Sequence, residues 1–144
     1  MSKLFKLTSF LGFLLSLNTS SALADSLEEM GGFLFQFQKC SVSETSVPLK
    51  CDFLVKNIGE RRTITIYSDN SRAYDTGFND IAGTSVSLGG REYQSVYSTE
   101  IPEETTLKGN ITFEKAPEGK LTSLDLNFYT DGTNYKVQLP LPSQ

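Results

Sequence analysis

The chain has 144 residues, with 13 Lys+Arg, 17 Asp+Glu, no histidine and a formal net charge of −4. An acidic balance argues against a nucleic-acid partner, which needs clustered Lys and Arg to displace counterions from phosphates, and against adsorption on anionic lipid. The absence of histidine excludes Ser-His-Asp and Cys-His catalysis, histidine metal ligation and the usual proton shuttle near neutral pH.

In chain order, the first segment reads as an address. Lys3 and Lys6 supply a basic start, Leu7 to Leu17 form an apolar run, and Ala22-Leu23-Ala24 ends it on small residues. That order predicts a secretory signal peptide over 1–24, cleaved after Ala24. The run is shorter than the roughly 20 apolar residues a permanent membrane helix needs, so no stable membrane insertion is expected. Lys3 and Lys6 leave with it, so 11 Lys+Arg face 17 Asp+Glu and the net charge becomes −6. The remaining 120 residues suit one domain acting in the periplasm or outside the cell. Residues 25–32, DSLEEMGG, are expected to be a flexible arm with at most one helical turn, stopped by Gly31-Gly32. The domain is expected over 33–144.

From Phe33 onward the period is two, the mark of strands with one buried face. Phe33, Phe35 and Phe37 alternate with Leu34, Gln36 and Gln38, and Cys51, Phe53 and Val55 do the same in the second strand. Arg62–Tyr67, Thr106–Glu114, Leu124–Phe128 and Tyr135–Leu139 repeat the pattern, with weaker candidates at Thr84–Leu88 and Tyr93–Ser98. Turns are expected at Asn57–Glu60, Ala116–Lys120 and Asp131–Asn134, Asp-Gly being a favoured hairpin signal. The expectation is an all-β fold: an immunoglobulin-like antiparallel β-sandwich of seven or eight strands, with a small β-barrel as the alternative.

Cys40 and Cys51 are the only cysteines. Behind a signal peptide they are expected to form a disulfide joining the first two of these strands. With no histidine they make a poor zinc pair, and no metal or other cofactor is expected.

The runs CDFLVKNIGE, YDTGFNDIAGTSVSLGG and IPEETTLKGNITFE contain Val55-Lys56-Asn57, Asp80-Ile81-Ala82-Gly83, and Pro102 through Gly109 to Ile111 and Phe113. In these elements the chain resembles secreted bacterial immunoglobulin-like domains of unknown function, of the immunoprotective-extracellular-protein type. The resemblance implies a β-sandwich outside the cytoplasm and carries over no catalytic residue. The early cysteine pair departs from that pattern.

Three constellations compete for a function. Paired carboxylates can hydrolyse glycosides, and Asp75, Asp80, Glu92, Glu103, Glu104 and Asp125 are available, although an acidic surface explains them equally. Asp69 to Asp80 offers oxygen donors for calcium, but it lacks the EF-hand spacing and reads as a solvated loop of turn-forming residues. The aromatics Tyr67, Tyr74, Phe78, Tyr93, Tyr97, Tyr129 and Tyr135 suit carbohydrate stacking or protein contact, and equally the edges of a core. Tyr74, Asp75, Phe78 and Asp80, in the Gly- and polar-rich stretch, are the expected binding residues. Arg61-Arg62 is expected to be solvated. The sequon at Asn110 falls within a predicted strand.

The function expected from this sequence is a non-enzymatic binding or structural module whose target is a protein, an envelope polymer or a small ligand. The alternatives are a hydrolase using paired carboxylates, an inhibitor of a hydrolase, and a subunit that assembles through strand edges.

Overall fold

The computed structural model describes residues 27–43, 48–90 and 92–141. The expected signal peptide lies outside them. The described residues form nine strands: β1 (Leu27–Met30), β2 (Phe33–Val42), β3 (Leu49–Asn57), β4 (Arg62–Asp75), β5 (Asp80–Leu88), β6 (Val96–Ile101), β7 (Thr106–Phe113), β8 (Leu121–Thr130) and β9 (Thr133–Pro140). Every pairing is antiparallel, in the order β1-β2-β3-β7-β5-β4-β8-β9, with β6 added to β4. β1 packs beside β9 without a ladder, so the sheet is nearly closed into a barrel. The all-β expectation holds in a form between its two versions. Two layers face each other as in a sandwich, but β4 and β5 join them at one corner as in a barrel.

Alternation builds the core. Phe33, Phe35, Phe53 and Val55 from one layer meet Ile64, Ile66, Leu126 and Phe128 from the other, all fully buried. The Phe128 ring lies 5.0 Å from Phe35 and edge-on to Phe33 at 6.1 Å, the offset geometry that aromatic quadrupoles favour. The Cys40–Cys51 disulfide joins directly opposed residues of β2 and β3, as expected. It fits an oxidising, extracytoplasmic environment.

Three expectations need correction. The stretch 25–32 is no arm where it is described: Leu27–Met30 pairs with Phe33–Gln36, and Gly31-Gly32 is the hairpin turn, with φ of 63° and 87°. Two consecutive positive φ angles form the tight turn whose twist matches paired strands, so the glycines that stop a helix here start a hairpin. The polar stretch from Asp69 is not a loop up to Asp80 either. β4 runs 14 residues to Asp75, and only Thr76–Asn79 turn.

Arg62 is the third. Rather than standing in water, its guanidinium donates to the Gly31 carbonyl at 3.1 Å, pairs with Asp131 at 3.2 Å and lies 5.6 Å from the Phe33 ring centroid. Beside it, fully buried Asn57 donates to the Glu60 and Ile101 carbonyls and accepts from the Gly59 N–H. Together they close one end of the barrel.

β4 bends where its partners change. Arg62–Tyr67 pair with β6 and Arg72–Tyr74 pair with β5, while β8 opposes Tyr67 with Asn127 and Arg72 with Asp125. The four β4 residues Ser68–Ser71 therefore face Leu126 alone, three more than the ladder needs. The Ser71 hydroxyl fills the interrupted ladder, accepting from the Asn127 N–H at 3.0 Å and donating to the Tyr67 carbonyl at 2.9 Å. A bulge of this kind bends a strand and re-aims its side chains.

Candidate functional site

The end of the barrel opposite Arg62 carries the β4–β5 turn, and one buried carboxylate organises it. Asp75 Oδ1 accepts from the N–H groups of Gly77 (2.9 Å) and Asn79 (3.0 Å), and Oδ2 accepts from the Glu118 N–H at 2.6 Å. The Asn79 side-chain amide adds contacts of 3.2 and 3.3 Å. These donors hold the Asp75 carboxyl below the usual carboxylate range, the Glu118 N–H most of all and the others against the opposing pull of burial. Because Glu118 belongs to the β7–β8 turn, Asp75 fastens two turns together. The Thr76 N–H donating to the Lys120 carbonyl at 2.9 Å seconds it.

On this fastened tip stands Phe78, 97% exposed with φ of 65°. Both properties oppose folding. An exposed benzyl group gains nothing from burial, and a bulky residue in the left-handed region is strained by about 1–2 kcal/mol. Its N–H nevertheless bonds to the Asp75 carbonyl at 3.2 Å, so the conformation is part of the turn.

Below the tip lies the outer face of β4, β8 and β9. Its rows, read across the register, are Tyr74–Ser123–Pro140, Arg72–Asp125–Gln138, Tyr67–Asn127–Lys136 and Thr65–Tyr129–Asn134. Asp80 flanks the first row on β5 and Val96 the third on β6. Asp125 points outward by alternation, between buried Leu124 and Leu126, yet is only 8% exposed. Among the described residues, its Oδ1 is buried with no hydrogen-bond partner. Burial pushes the Asp125 carboxyl up, while the Lys136 charge and the neighbouring Tyr74 hydroxyl oppose the shift. The Tyr74 hydroxyl is raised by burial and then by the Asp125 charge, with Asp80 adding to it. Arg72, opposite Asp125 in register, turns its guanidinium back onto the carbonyls of Asp69 (2.7 Å) and Ser71 (2.9 Å), where it holds the bulge.

The four expected binding residues therefore divide. Phe78 is the exposed tip, and Tyr74 and Asp80 are direct cross-strand partners beside Asp125. Asp75 is the fastening beneath them, its oxygens committed to the turns. Glu103 and Glu104 do not join this group: they sit in the β6–β7 turn next to Asn57, at the far end. No group of three or more Asp, Glu or Cys residues able to hold a metal occurs among the described residues. Asn110 lies in β7 and donates its amide to Asp52 at 2.5 Å. The aromatics divide as well: Tyr97 is buried and Tyr135 stacks on Phe128 at 5.3 Å, whereas Tyr93 and Tyr129 are exposed. Asp125 was legible only as one acid among six. Its single signal was an acidic residue alternating with Leu124 and Leu126, which says outward but not buried.

No family model matches the chain, and neither a curated protein nor a solved structure matches it.

Proposed function

We propose that the chain is an exported, non-enzymatic binding module that works outside the cytoplasm after cleavage following Ala24, and that its contact surface is the end of the barrel carrying Phe78, Tyr74 and Asp80. One observation carries this: a 97% exposed Phe78 held at positive φ on a turn that Asp75 makes rigid. Strained, exposed residues persist where the surrounding structure holds them, and they gather at ligand-contacting sites. Interface anchors are typically aromatic side chains that become fully desolvated in the complex. The apolar run at 7–17 and the Cys40–Cys51 disulfide support export.

The test is sedimentation of the exported protein with the isolated envelope of the producing cell. Saturable binding is expected, weakened at least about tenfold by Phe78→Ser, the loss of a typical hot-spot contact. No saturable binding, or binding indifferent to Phe78→Ser, contradicts the proposal.

A second reading, hydrolysis by an acid pair, is favoured by the raised Asp125 carboxyl with Asp80 also acting on Tyr74. Glycoside hydrolysis uses a pair of carboxyl groups, one of them raised to act as the acid. It requires turnover of a glycan substrate that Asp125→Asn abolishes with the fold intact.

A further inference from the structure

The outer face of β2, β3 and β7 carries positive charge that the net balance of the chain conceals. Lys39 stands directly opposite Asp52, and that row continues through Asn110 to Ser87. In the next row Ser41, Lys50, Thr112 and Ser85 stand in register. Lys108 is the diagonal neighbour of Asp52 on β7. Asp52 is buried and already satisfied: one oxygen accepts from the Asn110 amide and the other pairs with Lys108 at 3.9 Å. Lys39 and Lys50 are then surplus, and among the described residues neither lies within ion-pair distance of an acid. They are diagonal neighbours across β2 and β3, about 7–8 Å apart at the backbone, so their like charges oppose folding. A bulge puts one of them there. Strict alternation from Phe33, Phe35 and Phe37 would turn Lys39 inward; the register shift between Phe37 and Lys39 exposes it and sends Cys40 to Cys51. The other acids keep to the rims: Glu29 on β1, Glu104 paired with Lys56 at 3.4 Å, and Glu114, which Lys115 follows.

We propose that this face binds a linear, base-free phosphate polymer, gripped by Lys39 and Lys50 with Lys108 beside them. It is a second site, on the other layer from Tyr74 and independent of Phe78. Four observations select the ligand. The surplus charge is positive and accessible, with Lys39 exposed and the Lys108 side chain 57% exposed. Lysine holds phosphate as a point charge, and these rows contain no arginine, whose fork grips a carboxylate with two prongs. Ser41 and Thr84 add exposed hydroxyls that can donate to phosphate oxygens, Thr84 standing 2.8 Å from the Thr112 hydroxyl. The rows also contain no aromatic ring on which a nucleic-acid base could stack. An open sheet face does not enclose one small anion, whereas a polymer that repeats its charge engages all three lysines at once.

The experiment is a calorimetric titration of the exported protein with long-chain polyphosphate, polygalacturonate and oligothymidylate. Saturable binding of polyphosphate is expected, and it should fall as salt is raised, because exposed charges are screened over about 10 Å at 0.1 M. Lys39→Gln combined with Lys50→Gln should weaken it at least about tenfold, the loss of a strong contact. Arg61→Gln combined with Lys136→Gln removes as much charge from elsewhere on the molecule and should leave the binding nearly unchanged. If the Lys39 and Lys50 double variant fails to fold, Lys39→Glu alone, which reverses an exposed charge, takes its place with the same expected loss. No saturable binding of polyphosphate, or an equal loss in the Arg61 and Lys136 variant, overturns the site. Binding of polygalacturonate or oligothymidylate as tight as that of polyphosphate overturns the choice of a base-free phosphate polymer.

Discussion

Asp75 and Asp125 are chemically identical side chains on neighbouring strands, and their surroundings drive them in opposite directions. Asp75 accepts from backbone N–H groups of two turns and is held low; Asp125 is buried without enough donors and is pushed up. The consequences for stability are opposite in sign. A carboxyl lowered in the folded state stabilises above its unfolded value, near pH 4, and loses that contribution as pH falls toward the folded value. Asp75→Asn should therefore lower Tm at pH 7, with the gap closing as the pH is taken below about 4. A carboxyl raised in the folded state does the reverse: its contribution is complete below the unfolded value and lost as pH rises through the folded one. The Tm of Asp125→Asn relative to the parent should thus climb between about pH 4 and neutrality. Thermal melts of both variants across that range check the two slopes. A common sign would contradict the assigned surroundings. At this scale the sequence was informative about residue type and silent about partners. Asp75 reads as a turn former, but nothing in the chain says that its second oxygen is reserved for the N–H of Glu118, 43 residues away.

Among the elements, β4 departs furthest from its expected form. Alternation from Arg62 to Tyr67 is plain, and then Ser68-Asp69-Asn70-Ser71 imitates a loop, because bulge residues have the same polar, turn-forming character. The strand resumes at Arg72 because β5 and β8 both pair with it there, a long-range cause that periodicity does not record. The bulge presses on β5 at Gly83, where any Cβ would collide with the Ser68 carbonyl oxygen. Gly83→Ala should therefore destabilise the fold by about 1–3 kcal/mol, the usual cost of overpacking, measurable by urea denaturation. An unchanged midpoint would show that the bulge yields. β1 was missed for a related reason. Leu27-Glu28-Glu29-Met30 has no alternation of its own and becomes a strand only by pairing with the strongly patterned β2. By contrast, Phe33–Phe37, Cys51–Val55, Leu124–Phe128 and Tyr135–Leu139 were legible because each buries alternate residues in one core.

For the whole molecule, the closures matter most. Arg62 and Asn57 seal one end, Asp75 fastens the other, and the disulfide locks β2 to β3. Removing that lock with Cys40→Ser should cost about 2–5 kcal/mol, as for a native disulfide in a small secreted domain. A denaturation midpoint insensitive to reductant would contradict it. Of these closures only Asp75 lies at the end that displays the strained, exposed Phe78, and the proposed binding function requires that this tip be kept for contact at some expense to the fold. The most direct test of that claim is the urea unfolding free energy of Phe78→Gly. Glycine occupies positive φ freely, so relief of strain should leave the variant as stable as the parent or up to about 1 kcal/mol more stable. A loss of more than about 1 kcal/mol, the centre of ordinary destabilising substitutions, would instead make Phe78 part of the structure and remove the central reason for reading this end of the barrel as a binding surface.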